Sequence, residues 1–360
     1  MADSKRVLVA MSGGVDSSVA AGLLVRAGYE VTGVFMFLGV AGKEEGAEQV
    51  CRKSEEAQRV AERLGIRFSV INFAKEIEDI IGYFVAEYRR ARTPNPCIMC
   101  NTNLKFGKLW EHARAEGMDY MATGHYARRV EMDGQHRLRR GVDQKKDQSY
   151  ALFGIGRENL GKILLPIGEY TKDQIRELAA EMKLGVADKG ESQEICFVAD
   201  DDYARLVGER APELCRRGKV LDVEGNELGE HEGVFRFTIG QRKGLGIALG
   251  KPAYVVRLDA ARNTVVLGGV EDLEQSRLEA SGINWQVVPG AGEGFAAMVQ
   301  IRYNHRGARG FVRPVADESG KISRAMVDFA EPVRAITPGQ AAVFYVDDTV
   351  IGGGWIEKGF

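Results

Sequence analysis

Residues 94–101 read PNPCIMCN, so Cys97 and Cys100 stand three apart in a chain with five cysteines. The others are Cys51, Cys196 and Cys215. Thiols at this spacing could form half a zinc site, a redox pair, a corner of an iron–sulfur cluster, or a nucleophile with a bystander. A closed zinc site needs two more ligands, and the sequence has no second CxxC and no HxxxH. A thioredoxin-like pair is disfavoured because prolines flank the motif and no strand precedes it in a βαβ position. Cys97, Cys100 and Cys196 could together hold a cluster with one iron open to sulfide. A nucleophile must be a thiolate, which nearby cations and helix starts stabilise. Arg89, Arg90 and Arg92 lie just upstream of Cys100, and a helix is expected to begin just after it. Cys51, on a helical pattern, and Cys215, in a polar stretch, read as bystanders.

A second chemical motif is SGGVDS at residues 12–17, after an apolar strand and before an apolar helix. That context suits a phosphate. Gly13 and Gly14 let the backbone approach, Ser12 and Ser17 offer hydroxyls, and the helix start supplies free N–H groups and a favourable dipole. Asp16 is placed to hold Mg²⁺ or to orient phosphates. The stretch is neither a Walker A loop nor a GxGxxG turn, since no GKS or GKT follows. An ordinary tight strand–turn–helix is the plain alternative.

These residues must be positioned by a larger framework. Strand patterns at residues 7–11, 30–38, 67–73 and 119–123 alternate with helical patterns to about 27, then at 47–64, 75–90 and 103–116. Such alternation predicts an α/β domain with a parallel sheet covered on both faces. Residues 171–182 read as a further helix with Thr171 as its N-cap. After about residue 210 the texture becomes short β-rich runs between Gly, Asn and Asp turns, enough for two small β domains. The expected boundaries are 1–208, 209–275 and 276–360. A length of 360 residues and a 44% hydrophobic fraction support several real cores. A formal net charge of -2 argues against any globally attracted polyanion or membrane, so a nucleic-acid partner would need local basic patches. No apolar run reaches membrane-spanning length, and an odd, scattered set of cysteines makes no disulfide framework; a cytoplasmic protein is expected.

The SGGxDS pattern resembles the signature of the PP-loop ATP pyrophosphatases. They bind ATP there and cleave it to AMP and pyrophosphate, activating a carbonyl oxygen by adenylation. Further motifs follow in order: ARTPNPCIMCN and LKF, TGHYA at 123–127, KDQSY at 146–150, ESQEICF at 191–197 and FTIGQRKGLGI at 237–247. In this order, over essentially the whole chain, they resemble the bacterial tRNA-specific 2-thiouridylases.

The resemblance implies an N-terminal PP-loop domain, adenine nucleotide alpha hydrolase-like, then a small central β-rich domain and a C-terminal β-barrel. It implies ATP-dependent 2-thiolation of a tRNA wobble uridine: adenylation at C2, then sulfur transfer from a cysteine persulfide. Carried over residue by residue, Ala10, Met11, Ser12, Gly13, Gly14, Val15, Asp16, Ser17, Met36 and Gly124 would contact ATP. Asp16 would also serve Mg²⁺. Cys100 would be the nucleophile and Cys196 the persulfide carrier, loaded by a sulfur-donor protein (a cysteine desulfurase or a relay protein). Asn95, Pro96 and Cys97 would face the target base; relatives often carry aspartate where Cys97 stands, which keeps the iron–sulfur alternative open. Lys146, Asp147, Gln148, Arg302 and Tyr303 would contact tRNA. Position 10 is alanine where relatives often have glycine.

The residues themselves offer three basic patches: RRAR at 89–92, Lys145 and Lys146, and IRYNHRGARGFVR at 301–313, which has four arginines, a tyrosine and no acid. Arginines can hold phosphates and tyrosine can stack on an unpaired base. QRK at 241–243 is a further candidate in a Gly-rich turn. His125 reads equally as a base, a nucleotide contact or a satisfied structural residue. Two other functions fit parts of the pattern: a PP-loop amide-forming synthetase, which needs no paired thiols, and a metal-binding RNA-binding protein without catalysis.

Overall fold

The structure is a computed structural model. It describes residues 4–39, 44–190, 195–198, 202–247, 250, 252–289 and 293–360, with the backbone alone described for 44–49. The chain divides into two compact units: Met1–Ile80, Cys97–Asp201 and Asp348–Val350 in the first, and Ile81–Pro96, Asp202–Asp347 and Ile351–Phe360 in the second. The second unit thus takes in both regions that the sequence assigns to separate β domains.

Along the chain, β1 (Arg6–Ala10) leads into α1 (Val15–Arg26), β2 (Glu30–Phe37) into α2 (Glu44–Leu64), and β3 (Arg67–Asn72) into α3 (Ala74–Arg89). A short α4 (Pro96–Met99) runs into a π-helical stretch, Cys100–Leu109, and then into α5 (Trp110–Ala115). Then come β4 (Tyr120–Thr123), the hairpin of β5 (Ala127–Met132) and β6 (Gln135–Arg140), the two-residue β7 (Ile163–Leu164) and α6 (Lys172–Glu181). The five-stranded parallel sheet has the order β3-β2-β1-β4-β7. Its winding direction reverses between β1 and β4, and ligands of such sheets bind beyond the strand ends at that point. In β1, Val7, Leu8 and Val9 are all buried, as a central parallel strand covered on both faces requires. Ala20, Ala21 and Val19 of α1 and Ala57, Val60 and Ala61 of α2 share its core.

The sequence places a helix at 103–116, but the observed one starts seven residues earlier, at Pro96. Proline at a first helical position loses nothing, because that N–H has no intrahelical partner. The π stretch also shifts the buried side chains Ile98, Leu104, Phe106 and Leu109 off a strict 3.6-residue repeat. Periodicity therefore missed the first turns.

The second unit contains α7 (Tyr203–Arg210) and a four-stranded sheet of β8 (Gly218–Leu221), β9 (Glu227–His231), β10 (Tyr254–Asp259) and β11 (Thr264–Gly268), ordered β10-β11-β8-β9. Six further strands follow: β12 (Glu274–Trp285), β13 (Phe295–Gln300), β14 (Ala308–Ala316), β15 (Ile322–Arg334), β16 (Ala341–Val346) and β17 (Thr349–Gly359). They run β12-β15-β14-β13-β16-β17, and antiparallel pairing of β12 with β17 closes the barrel. Leu278, Val299, Val312, Val327, Phe344 and Ile356 fill it. Closure removes the open edges that an antiparallel sheet would otherwise expose.

Helix α6 begins at a complete capping box. Thr171 accepts from the Gln174 backbone N–H, and the Gln174 side chain accepts from the Thr171 N–H at 2.8 Å. Thr171→Ala should lower the unfolding free energy by about 1 kcal/mol. A matching fall in the urea midpoint, with the slope unchanged, would be the check.

Candidate active site

Residues 11–14 turn from the carboxyl end of β1 into α1. Gly13 has φ +74°, and a Cβ there would lie 2.4 Å from the Lys53 carbonyl oxygen, so only glycine fits. Ser17 Oγ accepts from the Ser12 N–H at 3.1 Å, and Ser18 Oγ donates to the Gly14 carbonyl at 2.8 Å. Gly14 is the N-cap of α1 and provides no side-chain cap. The first N–H groups of the helix are therefore left to an anion, as expected of a phosphate loop.

The carboxyl end of β4 meets this loop. A Cβ on Gly124 would stand 2.5 Å from Ser17 N and 2.7 Å from Asp16 C. Gly124 is thus required by the packing of TGHYA against the first turn of α1. Met36, expected beside adenine, is half-buried on β2, whose neighbour Val34 accepts from the Met11 N–H at 2.8 Å.

Asp16 is engaged by groups that sequence reasoning missed. Its Oδ1 accepts from Tyr126 Oη at 2.7 Å, and Lys172 Nζ donates to Oδ1 and Oδ2 at 2.8 and 2.9 Å. Lys189 Nζ donates to the Gly13 carbonyl at 2.8 Å and pairs with Glu56. One sequence signal for Lys172 existed. It opens a helix, where the dipole disfavours a cation, so it needed an anion from elsewhere.

His125 is buried, with Nδ1 2.7 Å from Thr123 Oγ1 and its ring 6.0 Å from that of Phe106. Burial, with a smaller contribution from Lys105, pushes its pKa well down, so the ring is neutral near pH 7.

Cys97, Cys100 and Cys196 lie in the same unit. Cys97 is exposed in the first turn of α4, and Cys100 is buried where α4 gives way to the π stretch. Cys196 is exposed, yet protein crowds its sulfur enough that burial dominates and pushes its pKa up to about 12. Cys97 is raised too, first by burial, and Lys105 opposes the rise at both. Cys100 adds to each shift, so the three sulfurs share one electrostatic neighbourhood. Lys105 Nζ donates to Asn101 Oδ1 at 3.0 Å. Residues 191–194 of ESQEICF lie outside the described residues.

The cations and helix start expected to serve Cys100 are assigned differently. Arg89 pairs with Glu213, Arg90 with Glu87, and Arg92 with Glu87 and Glu357. The helix start belongs to Cys97, because helical structure begins at Pro96 rather than after Cys100.

The remaining expected residues are placed as follows. Asp147 accepts from the Gly141 and Ser149 N–H groups, Arg140 and Ser149 Oγ, and Gln148 exchanges hydrogen bonds with the Tyr126 backbone. Both thus brace the loop that carries half-buried Lys146. In the second unit, Arg302 donates to the carbonyls of Arg334 and Ala335, and Tyr303 is 45% exposed between β13 and β14. Arg306 and Arg309 are exposed nearby. Gln241 braces its own turn, accepting from the Thr238 N–H and donating to the Lys243 carbonyl. Asn95 and Pro96 lie in the second unit, Cys97 in the first.

Three family descriptions match in succession: tRNA methyl transferase HUP domain over residues 5–200, tRNA methyl transferase PRC-barrel domain over 207–269, and aminomethyltransferase beta-barrel domain over 275–356. The chain is 50% identical to the tRNA-specific 2-thiouridylase MnmA of Carboxydothermus hydrogenoformans, over 98% of both chains. It is 49% identical to that of Moorella thermoacetica, over 98% of this chain and 99% of the relative. Among solved structures, the U34-tRNA thiolase NcsA from Methanococcus maripaludis overlays 58% of this chain and 66% of its own, at TM-score 0.34 and 19% identity, too distant to inform the chemistry.

The raised Cys196 pKa has a direct consequence. Alkylation needs the thiolate, so Cys196 should react with iodoacetamide at pH 8 at least about tenfold more slowly than an unstructured cysteine. Its rate should climb with pH towards about 12. Peptide mass spectrometry across a pH series checks this, and a rate that levels off below pH 9 would contradict it.

Proposed function

The chain belongs to the tRNA-specific 2-thiouridylase family, and from that membership we propose that it replaces the C2 oxygen of a tRNA wobble uridine with sulfur at the expense of ATP. One observation carries the reading. The helix that bears Cys100 sets Phe106 against His125, and the neighbouring Gly124 packs on Ser17 of the phosphate loop. The Cys100 helix and the SGGVDS loop thus meet on one contiguous floor, which supports a reaction that needs both. The grouping of Cys97, Cys100 and Cys196 favours thiolation over the methyl transfer in the matched family's description.

In the first half-reaction, the uridine C2 oxygen attacks the α-phosphorus of ATP and pyrophosphate leaves. Ala10, Met11 and Val15 shape the loop, while Ser12, Gly13, Gly14 and Ser17 surround the phosphates with N–H and O–H donors. Met36 and Gly124 border the adenosine. In the second half-reaction, Cys196 bears a persulfide delivered by a sulfur-donor protein. Cys100 attacks the Cys196 sulfur, an S–S bond forms between them, and the outer sulfur departs as hydrosulfide. Hydrosulfide adds to C2 and AMP leaves with the former carbonyl oxygen. A thiol reductant then reopens the disulfide. Asn95, Pro96 and Cys97 face the base. Lys146, on the loop braced by Asp147 and Gln148, and Arg302 with the exposed Tyr303 hold the tRNA.

Neither the expected Mg²⁺ nor the alternative iron–sulfur cluster fits the side chains as they stand. Both Asp16 oxygens are taken by Lys172, one also by Tyr126, so no step is assigned to Mg²⁺ there. Among the described residues, no three His, Cys, Asp or Glu side chains are arranged to hold a metal, so no step runs through iron. No described helix is long and apolar enough to cross a membrane.

The test is nucleoside mass analysis of tRNA incubated with ATP, Mg²⁺, a sulfur donor and each Cys→Ser variant. Cys100→Ser and Cys196→Ser should lower 2-thiouridine formation by about a hundredfold or more, and Cys97→Ser should retain measurable product. Product from Cys100→Ser at the wild-type rate would sink the assigned roles.

A further inference from the structure

We propose that Lys172 is the positioning residue that cancels the charge of Asp16, so that the start of α1 can accept a triphosphate. The inference rests on the ATP-dependent reading above and adds a residue that reading lacks. Asp16 lies in the first turn of α1. The helix dipole favours a carboxylate there, but that charge repels the phosphates for which the same N–H groups are suited. The SGGVDS loop brings no lysine of its own.

Lys172 supplies the missing cation. Its side chain is 9% exposed, and its ammonium donates to both Asp16 oxygens. The fold, rather than a flexible side chain, sets this pairing. Lys172 is the first residue of α6, next to the Thr171 capping box, and its backbone N–H donates to Asp143 Oδ2 at 3.0 Å. Tyr126 Oη holds the carboxylate from a third direction. A second ammonium at the loop, Lys189, is already matched by Glu56 and faces the Gly13 carbonyl. Lys172 therefore makes the head of the helix electrically neutral, and the N–H groups and dipole remain available to the anion.

A double-mutant cycle tests this by calorimetric titration at fixed ionic strength, with α,β-methylene-ATP and adenosine as probes. Lys172→Met should bind the triphosphate about tenfold or more weakly, while adenosine affinity stays at the wild-type value. Adding Asp16→Asn to Lys172→Met should restore most of the lost affinity. A purely structural lysine would lower the unfolding temperature and affect both probes alike. Lys172→Gln supplies the same comparison if the Met variant does not fold. The inference is overturned if Lys172→Met binds the triphosphate like wild type, if adenosine weakens in parallel, or if the double variant is no tighter than Lys172→Met. A wild-type protein that ignores α,β-methylene-ATP would instead overturn the ATP-dependent reading, and this inference with it.

Discussion

The end of β4 and the start of α1 are in contact with no room for a side chain between them. A single Cβ on Gly124 would press on Ser17 N at 2.5 Å. Everything at the site is measured from that contact. It lies at the sheet's switch point, where β4 runs beside β1, and it sets Gly124 against the first turn of α1. Through the Phe106 ring it also ties the thiol-bearing helix to the same floor. Under the proposed course, two half-reactions on one carbonyl group gain from a frame that cannot drift, because small displacements of reacting groups are costly in rate.

Charge at this floor is arranged locally. The whole chain carries a formal net charge of only -2, so little long-range pull on a polyanion comes from its total. An uncapped helix start, an aspartate paired with Lys172 and a neutral His125 give this loop little net fixed charge. Most arginines at the head of the cysteine motif are committed to carboxylates, such as Arg92 between Glu87 and Glu357. Exposed Arg306 and Arg309 beside Tyr303 show the opposite disposition, suited to an external partner.

The parallel-sheet framework was legible because buried strands and amphipathic helices leave strong periodic marks, as in VLVA of β1 and the Ala57, Val60, Ala61 face of α2. Thr171 as an N-cap was legible for the same local reason. The start of the cysteine helix was not, since the π stretch departs from helical spacing. Lys172 was hidden because its partner lies 156 residues away in sequence, and long-range ion pairs leave no periodic trace. The braces on Asp147 and Gln148 escaped for a different reason: they are loop contacts to Arg140 and Tyr126, which follow no helical or strand period.

The raised pKa of Cys196 bears on which sulfur moves under the proposed course. Thiol–disulfide exchange expels the better leaving group, and a thiolate with a high pKa leaves poorly. Attack on the outer sulfur of a Cys196 persulfide would have to expel the Cys196 thiolate, which burial pushes up to about 12. Attack on the inner sulfur expels the outer one instead and joins Cys196 to its attacker. Desolvation around Cys196 therefore favours release of the transferable sulfur towards the substrate over its passage to a neighbouring thiol. Cys97 and Cys100 both stand close enough to perturb Cys196 electrostatically, so a site without this bias could scatter sulfur among three cysteines. A thiol with so raised a pKa is slow to react by itself, and under the proposed course the same property would give its persulfide a preferred direction of cleavage.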